Sequence, residues 1–257
     1  MAIASSAATH VTPHALEPAT FRFGRAIATI EGALVDLLGL ARVTIDARLE
    51  TARGSMRRTP VELRVRTYAG AGARFARVMT VLGGPVELVD LLVIPPTSSG
   101  APILTVELES IDRERGYAIA DLISMVDDEA SLAAQLAEQA RRRPGMVEAD
   151  ALPGLAPLGE LPAWRGAWVS PRPLHAQVHP EHPASASRAI AAYAGAYAAL
   201  VRDPQRRPAV DVVDRHSGYL RDRLERDPIG GVIGRAFGHV FATDLASRVL
   251  FPRAMPA

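Results

Sequence analysis

The sequence predicts an α+β domain in which an antiparallel sheet is covered by helices. Three observations carry that prediction. Between residues 43 and 123, short apolar segments follow one another, divided by Gly, Pro or Ser. Within them, Val61, Leu63 and Val65 alternate with Glu62, Arg64 and Arg66, the two-residue period of a strand with one wet face. Beyond residue 184 the apolar positions take up helical spacing. Strands first and helices afterwards indicate α+β, whereas alternating strand and helix units would have indicated a parallel sheet.

Taken in order, residues 1–20 are rich in Ala, Ser, Thr, Pro and His without a sustained period. They are expected to be a flexible N-terminal arm, leaving 21–257 as a single domain. Over 25–40, Ile27, Ile30, Leu34, Leu37 and Leu38 follow a helical period, and Gly39 supplies the stop. Strands are predicted over 43–50, 61–68, 75–82, 86–94, 103–110 and 116–123. Gly70-Ala-Gly72 between two of them reads as a hairpin turn. A dinucleotide fingerprint would need a third glycine and a following helix N-terminus, and neither is predicted there. Residues 129–143 have the composition of a surface helix, with terminal arginines that complement its dipole. Pro144, Pro153, Pro157 and Pro162 make 144–163 a connection. A short strand near 174–179 then precedes helices over 184–201 and 210–226. Asp227-Pro228 starts the final helical stretch, 229–250, with Asp accepting a backbone N–H and Pro in the first turn.

Composition removes several classes of chemistry. The 257 residues are 48% hydrophobic and 22% charged, enough for a substantial core, and carry a formal net charge of +1. No field of one sign points to nucleic acid. No stretch approaches the ~20 apolar residues of a membrane span, and the first residues lack a basic region followed by an apolar core, so a cytoplasmic location without membrane insertion is expected. There is no cysteine, which excludes disulfides, thiolate nucleophiles and cysteine-ligated clusters. There is also no lysine, so neither a Schiff-base lysine nor a P-loop lysine is available.

Few residues are placed to do chemistry. In Ile103-Leu-Thr-Val-Glu107-Leu-Glu109, strand alternation sets Ile103, Thr105, Glu107 and Glu109 on one face and Leu104, Val106 and Leu108 on the other. If the first face floors a pocket, burial is expected to raise the Glu107 pKa toward neutrality, where a carboxyl group can donate protons. Otherwise it is the solvent face of a strand. His175, His179 and His182 have spacing that invites a metal, but Pro180 and Pro183 interrupt a helix and no thiolate or carboxylate completes a set by spacing. They read as surface or ligand-contacting histidines, with His175 taken as a candidate substrate contact. Trp164 and Trp168 read as core anchors.

The stretch 219–252, with Tyr219, Asp227 eight residues later, Phe237-Gly238 and Leu250-Phe251, resembles the C-terminal signature of the ferredoxin-dependent bilin reductases. Val93-Ile94-Pro95-Pro96 followed by Ala101 to Glu107 resembles that family's strand, proline-rich turn and second strand ending on a carboxylate. Trp164 through Ser170 to Leu174 resembles its Trp, Ser and following strand. In relatives such as phycocyanobilin:ferredoxin oxidoreductase the carboxylate is Asp. Glu107 makes this chain more similar there to red chlorophyll catabolite reductase.

The resemblance implies a three-layer α/β/α sandwich around a central antiparallel sheet, with a linear tetrapyrrole between the sheet and the C-terminal helices. It implies reduction of biliverdin or a close relative, with reduced ferredoxin as external electron donor, no tightly bound cofactor, and Glu107 and Asp227 as the catalytic acids. The propionates of a bilin would pair with arginine, which makes Arg172, Arg221, Arg223 and Arg226 candidate contacts. A third position, His or Asn in many members, falls on Leu91, with Asp90 beside it. A non-catalytic tetrapyrrole-binding protein, for which Leu91 is the discriminating feature, and an enzyme of the red chlorophyll catabolite reductase type are the alternatives.

Overall fold

The computed structural model of the protein describes residues 23–111, 115–125, 151–161, 163–165, 168–170, 173–202 and 211–252. The expected arm over 1–20, the helix over 129–143 and the first part of the proline-rich connection lie outside the described residues.

Helix α1 (Gly24–Leu38) ends where Gly39 was expected to stop it. Gly39 has a φ of 59°, the left-handed region that a Cβ disfavours, and its N–H donates to the Val35 carbonyl. Then come β1 (Leu40–Val43), the short α2 (Ala47–Glu50), β2 (Thr51–Met56), β3 (Thr59–Gly70), β4 (Ala73–Leu82), β5 (Val86–Ile94), β6 (Ile103–Ile111) and β7 (Arg115–Ile123). Two short strands, β8 (Leu155–Pro157) and β9 (Leu174–Val178), lead to α3 (Pro183–Val201), α4 (Val212–Arg226), α5 (Ile229–Phe237) and α6 (His239–Leu245). A single π-helical turn, Ala246–Leu250, completes the series.

One antiparallel sheet of nine strands results, ordered β1-β3-β4-β5-β6-β7-β9-β8, with β2 also pairing β3. The strand expected over 43–50 is not formed: β1 ends at Val43 and residues 47–50 are helical. The Asp46 side chain accepts the Arg48 N–H at 3.1 Å and turns the chain into α2. Strand β2 escaped the sequence because Thr51-Ala-Arg-Gly-Ser-Met carries too few large apolar residues to display an alternation. Its Gly54 nonetheless fits closely: a Cβ there would lie 2.1 Å from the Ala236 carbonyl oxygen of α5.

Each sheet face has its own core, so the molecule has three layers. Leu91, Val93, Leu104, Val106, Leu108, Ala118 and Ala120 face α1 and α3. Val65, Met79, Leu92 and Ile103 face α4, α5 and α6, which supply Tyr219, Leu220, Ile233, Ala242 and Leu245. The α1 side of β3 is polar and ion-paired, with Arg66 bridging to Glu31 and the Tyr68 hydroxyl donating to the same carboxylate. Among the described residues no helix is long and apolar enough to cross a membrane.

One buried group gives the fold a pH limit. His216 of α4 is 1% exposed, and neither ring nitrogen has a hydrogen-bond partner. Burial, with the positive charge of Arg74 nearby, pushes its pKa down from 6.5 to about 4. Between those values the unfolded chain binds a proton that the folded one refuses. The contribution is complete above pH ~6.5 and falls by about 1.4 kcal/mol per pH unit toward pH ~4. Urea midpoints at about pH 7 and about pH 4.5 should drop more for the parent than for His216→Met. Equal drops would show that His216 does not titrate in this window.

Candidate active site

The chemistry gathers on the sheet face turned toward the C-terminal helices. Register places Met79, Asp90, Glu107, Ile119 and His175 opposite one another on β4, β5, β6, β7 and β9, one continuous row. Asp227, between α4 and α5, closes over that row. Its Oδ1 accepts the Ile229 N–H at 2.9 Å, the capping bond expected of Asp-Pro, and its Oδ2 pairs with Arg223. Asp90, Glu107, Glu109 and Asp227 all line one cavity of about 240 Å³, with Ile119, Pro228 and Val232 as its apolar wall.

Behind the carboxyl groups lie arginines. Glu107 Oε1 receives the Arg223 guanidinium at 3.1 Å and is also paired with Arg165, and Arg223 reaches Asp227 one helical turn further on. Arg77, 1% exposed, holds Asp90 at 3.0 Å and donates from Nε to the Leu250 carbonyl at 2.9 Å. The Phe251 ring lies between Arg77 and Arg223, with the guanidinium carbons 5.3 and 5.4 Å from its centroid. The Leu250-Phe251 pair of the C-terminal signature therefore seats two of the three cations.

This arrangement decides which acids hold protons. Burial acts to raise the Glu107 pKa, but the charges of Arg165 and Arg223 overcome it and hold the carboxyl below its ordinary value. The expectation that burial would lift Glu107 toward neutrality is thus reversed, because two guanidiniums share its one oxygen. Asp227 goes the other way. Burial outweighs Arg223 and, with the negative charges of Glu107 and Asp90, pushes it up to about 6. Glu109 is raised by burial and by Glu107 beside it, and among the described residues it makes no hydrogen bond or ion pair. Asp121, on the same face, is raised by burial, and its Oδ2 accepts the Ser170 N–H at 3.1 Å. That bond ties the segment carrying Arg165 to β7.

The other residues expected from the sequence are distributed as follows. His175 shares the Glu107 row, half-buried two strands away, and its Nδ1–H donates to the Gly159 carbonyl at 3.1 Å. Arg223 enters the cluster. Arg226 does not: it is exposed and pairs with Asp222 at 2.9 Å. Arg221 is exposed and lines a second groove of about 610 Å³ with Leu224, Glu225 and Phe251, the ring that Arg77 and Arg223 approach. Arg172 lies outside the described residues. Leu91 is buried on the opposite face among the α1 and α3 contacts, and Asp90 occupies the row beside Glu107. Trp168 packs edge-on against Tyr219 at 5.7 Å, as a core anchor would.

Arg77, Arg165 and Glu109 were not selected from sequence. Arg77 carried a signal, an arginine in the apolar period Phe75, Arg77, Met79, where a buried charge needs a partner. Arg165 carried none, because it comes from an irregular connection.

The sequence matches the family described as ferredoxin-dependent bilin reductase over residues 27–252. No curated protein matches it in sequence. In structure it is similar to phytochromobilin synthase from tomato, solved in complex with biliverdin. The TM-score is 0.71 at 17% identity, covering 89% of this chain and 82% of that one, a likeness of fold.

Proposed function

The chain belongs to the ferredoxin-dependent bilin reductase family, and we propose that it reduces a linear tetrapyrrole, biliverdin or a close relative, with electrons from ferredoxin and protons from the carboxyl groups of the cavity. One observation carries this reading, the convergence of Asp90, Glu107, Glu109 and Asp227 on a single apolar-walled cavity. A bilin presents pyrrole N–H donors along its inner edge, and ionised carboxylates are acceptor-only groups that receive them. The conjugated substrate accommodates the electrons, while the protein orients and protonates it.

The acids divide the work by environment. Glu107, held ionised by Arg165 and Arg223, receives N–H donors and keeps negative charge beside Asp227. Asp227, with its pKa about 6, is poised to give a proton near neutrality, and Glu109, whose pKa is raised by burial and by Glu107, lies on the same wall. A cavity of about 240 Å³ is below the roughly 300–1,000 Å³ of ordinary small-molecule sites. Uptake of a tetrapyrrole therefore requires the Asp227–Val232 edge to move away from the sheet.

The paired state of Glu107 favours one second reading, a tetrapyrrole-binding protein that does not reduce its ligand. A single experiment separates the two. The protein is expected to bind biliverdin near one equivalent with a shift of its long-wavelength absorption, and anaerobic addition of ferredoxin, its reductase and NADPH should then bleach or shift that band. A saturable spectrum that stays unchanged on reduction would leave only the binding protein. Absence of a saturable spectral change would sink both readings. NADPH alone should do nothing, and rapid turnover with it would contradict the ferredoxin requirement.

A further inference from the structure

Far from the carboxyl cluster, the turn between β9 and α3 brings together His179, Glu181 and His182. Each offers one ligand atom, and these atoms lie within 4.8 Å of one another. By spacing alone no carboxylate completes the histidine set, which argued against a metal; the turn corrects this, since it brings Glu181 beside His179 and His182, while the His175 ring is engaged with the Gly159 carbonyl.

The backbone beneath these side chains is fixed. The His179 N–H donates to the Gly154 carbonyl at 2.8 Å, the His182 N–H to His179 at 2.9 Å and the Ser185 N–H to His182 at 3.0 Å. The Ser185 hydroxyl adds a bond to the Pro153 carbonyl at 2.7 Å, and Pro180 and Pro183 set two φ angles. Gly154 lies so near that a Cβ on it would come 2.3 Å from the His182 Cβ. The imidazole centroids are 5.8 Å apart, and the Glu181 N–H donates to His179 Nδ1 at 3.4 Å. Only side-chain torsions are left to order when an ion arrives, which limits the entropy lost on binding.

Two imidazoles and a carboxylate form a nitrogen-rich donor set of borderline softness. It suits zinc, cobalt, nickel or copper in the divalent state, whereas calcium and magnesium require six or more oxygens. All three residues are exposed, so water completes the coordination. The positive end of α3 opposes a cation beside His182, but it has no ion-specific bond to set against the three ligand bonds. We propose that His179, Glu181 and His182 form a binding site for one divalent transition-metal ion of the zinc class, which clamps the start of α3 to the end of β9.

The test uses full-length protein without a histidine tag, stripped with a chelator. Zinc titration by calorimetry should give one equivalent, cobalt should give visible ligand-field bands, and zinc should raise the melting temperature because the folded turn holds the three ligands together and so binds more tightly than the unfolded chain. Substituting His179→Gln and His182→Gln together keeps the side-chain bulk against Gly154 and should abolish all three responses. Glu181→Gln alone should weaken zinc by roughly 10-fold or more. His175→Gln should change nothing. No saturable zinc uptake, or uptake undiminished in the double variant, would overturn the site. Undiminished affinity in Glu181→Gln would overturn the three-ligand set.

Discussion

Asp227→Asn is expected to keep bilin binding and lose reduction, with turnover falling by ~10²–10⁴-fold, the range for a lost general acid. The substitution isolates proton transfer unusually well. Asn can still accept the Ile229 N–H, so the turn between α4 and α5 keeps its cap. The raised pKa means that the pocket disfavours a charge at this position, so a neutral amide should leave the melting temperature within a few degrees of the parent. Glu107→Gln should also slow turnover, by a different route. Removing that anion removes one of the groups that raise Asp227, so the Asp227 pKa falls and the descending limb of the rate profile, where the donor loses its proton, moves to lower pH. Single-turnover reduction of bound bilin across pH distinguishes the two: a loss at every pH for Asp227→Asn, a shifted profile for Glu107→Gln. If Asp227→Asn reduces bilin at the parental rate, Asp227 is a helix cap and nothing more.

These roles were only partly legible in the sequence, and the reason lies in what a strand pattern encodes. Alternation within β6 correctly separated Glu107 and Glu109 from Leu104, Val106 and Leu108, because the side-chain period of a strand is a local property. Pairing register is not local. A step of one residue exchanges the faces, so Asp90 joins the Glu107 row while Leu91, its neighbour in a correctly anticipated strand, lies in the opposite core. The same limit inverted the electrostatics. Burial of Glu107 could be argued from Ile103 and its neighbours, but the guanidiniums that reverse its effect come from a proline-rich connection and from α4. Nothing in either segment, taken alone, says which carboxylate it will meet. The strand-then-helix order made the α+β class accessible, whereas the third layer was implied only by the family resemblance, since β3 reads as a strand with one wet face and its Arg66 and Tyr68 are engaged by Glu31 of α1.

Arg223→Leu should be the most destabilising single change at the site. The guanidinium is 4% exposed and bridges Glu107 and Asp227, so removing it leaves two buried carboxyl groups short of a cation. Breaking such a pair by deleting one partner typically costs about 3–5 kcal/mol, most of it the desolvation of the charge left behind. Arg165 still reaches Glu107, which sets the expectation at the lower end. The loss should also depend on pH. Without Arg223 the acids titrate at higher pH than in the parent, and each proton taken up relieves the uncompensated charge, so the deficit should shrink as pH falls toward ~6, where Asp227 takes up its proton in the parent as well. Urea unfolding at about pH 7.5 and about pH 5 measures both the deficit and its slope. Arg223→Lys, which keeps one positive charge but cannot span two carboxylates with a planar fork, should lie between the parent and Arg223→Leu. A loss within ~0.5 kcal/mol for Arg223→Leu at the higher pH, the size of an ordinary surface substitution, would mean that water already reaches these carboxylates. The cluster would then be too wet to raise the pKa of Asp227, and the proton donor would have to be sought elsewhere.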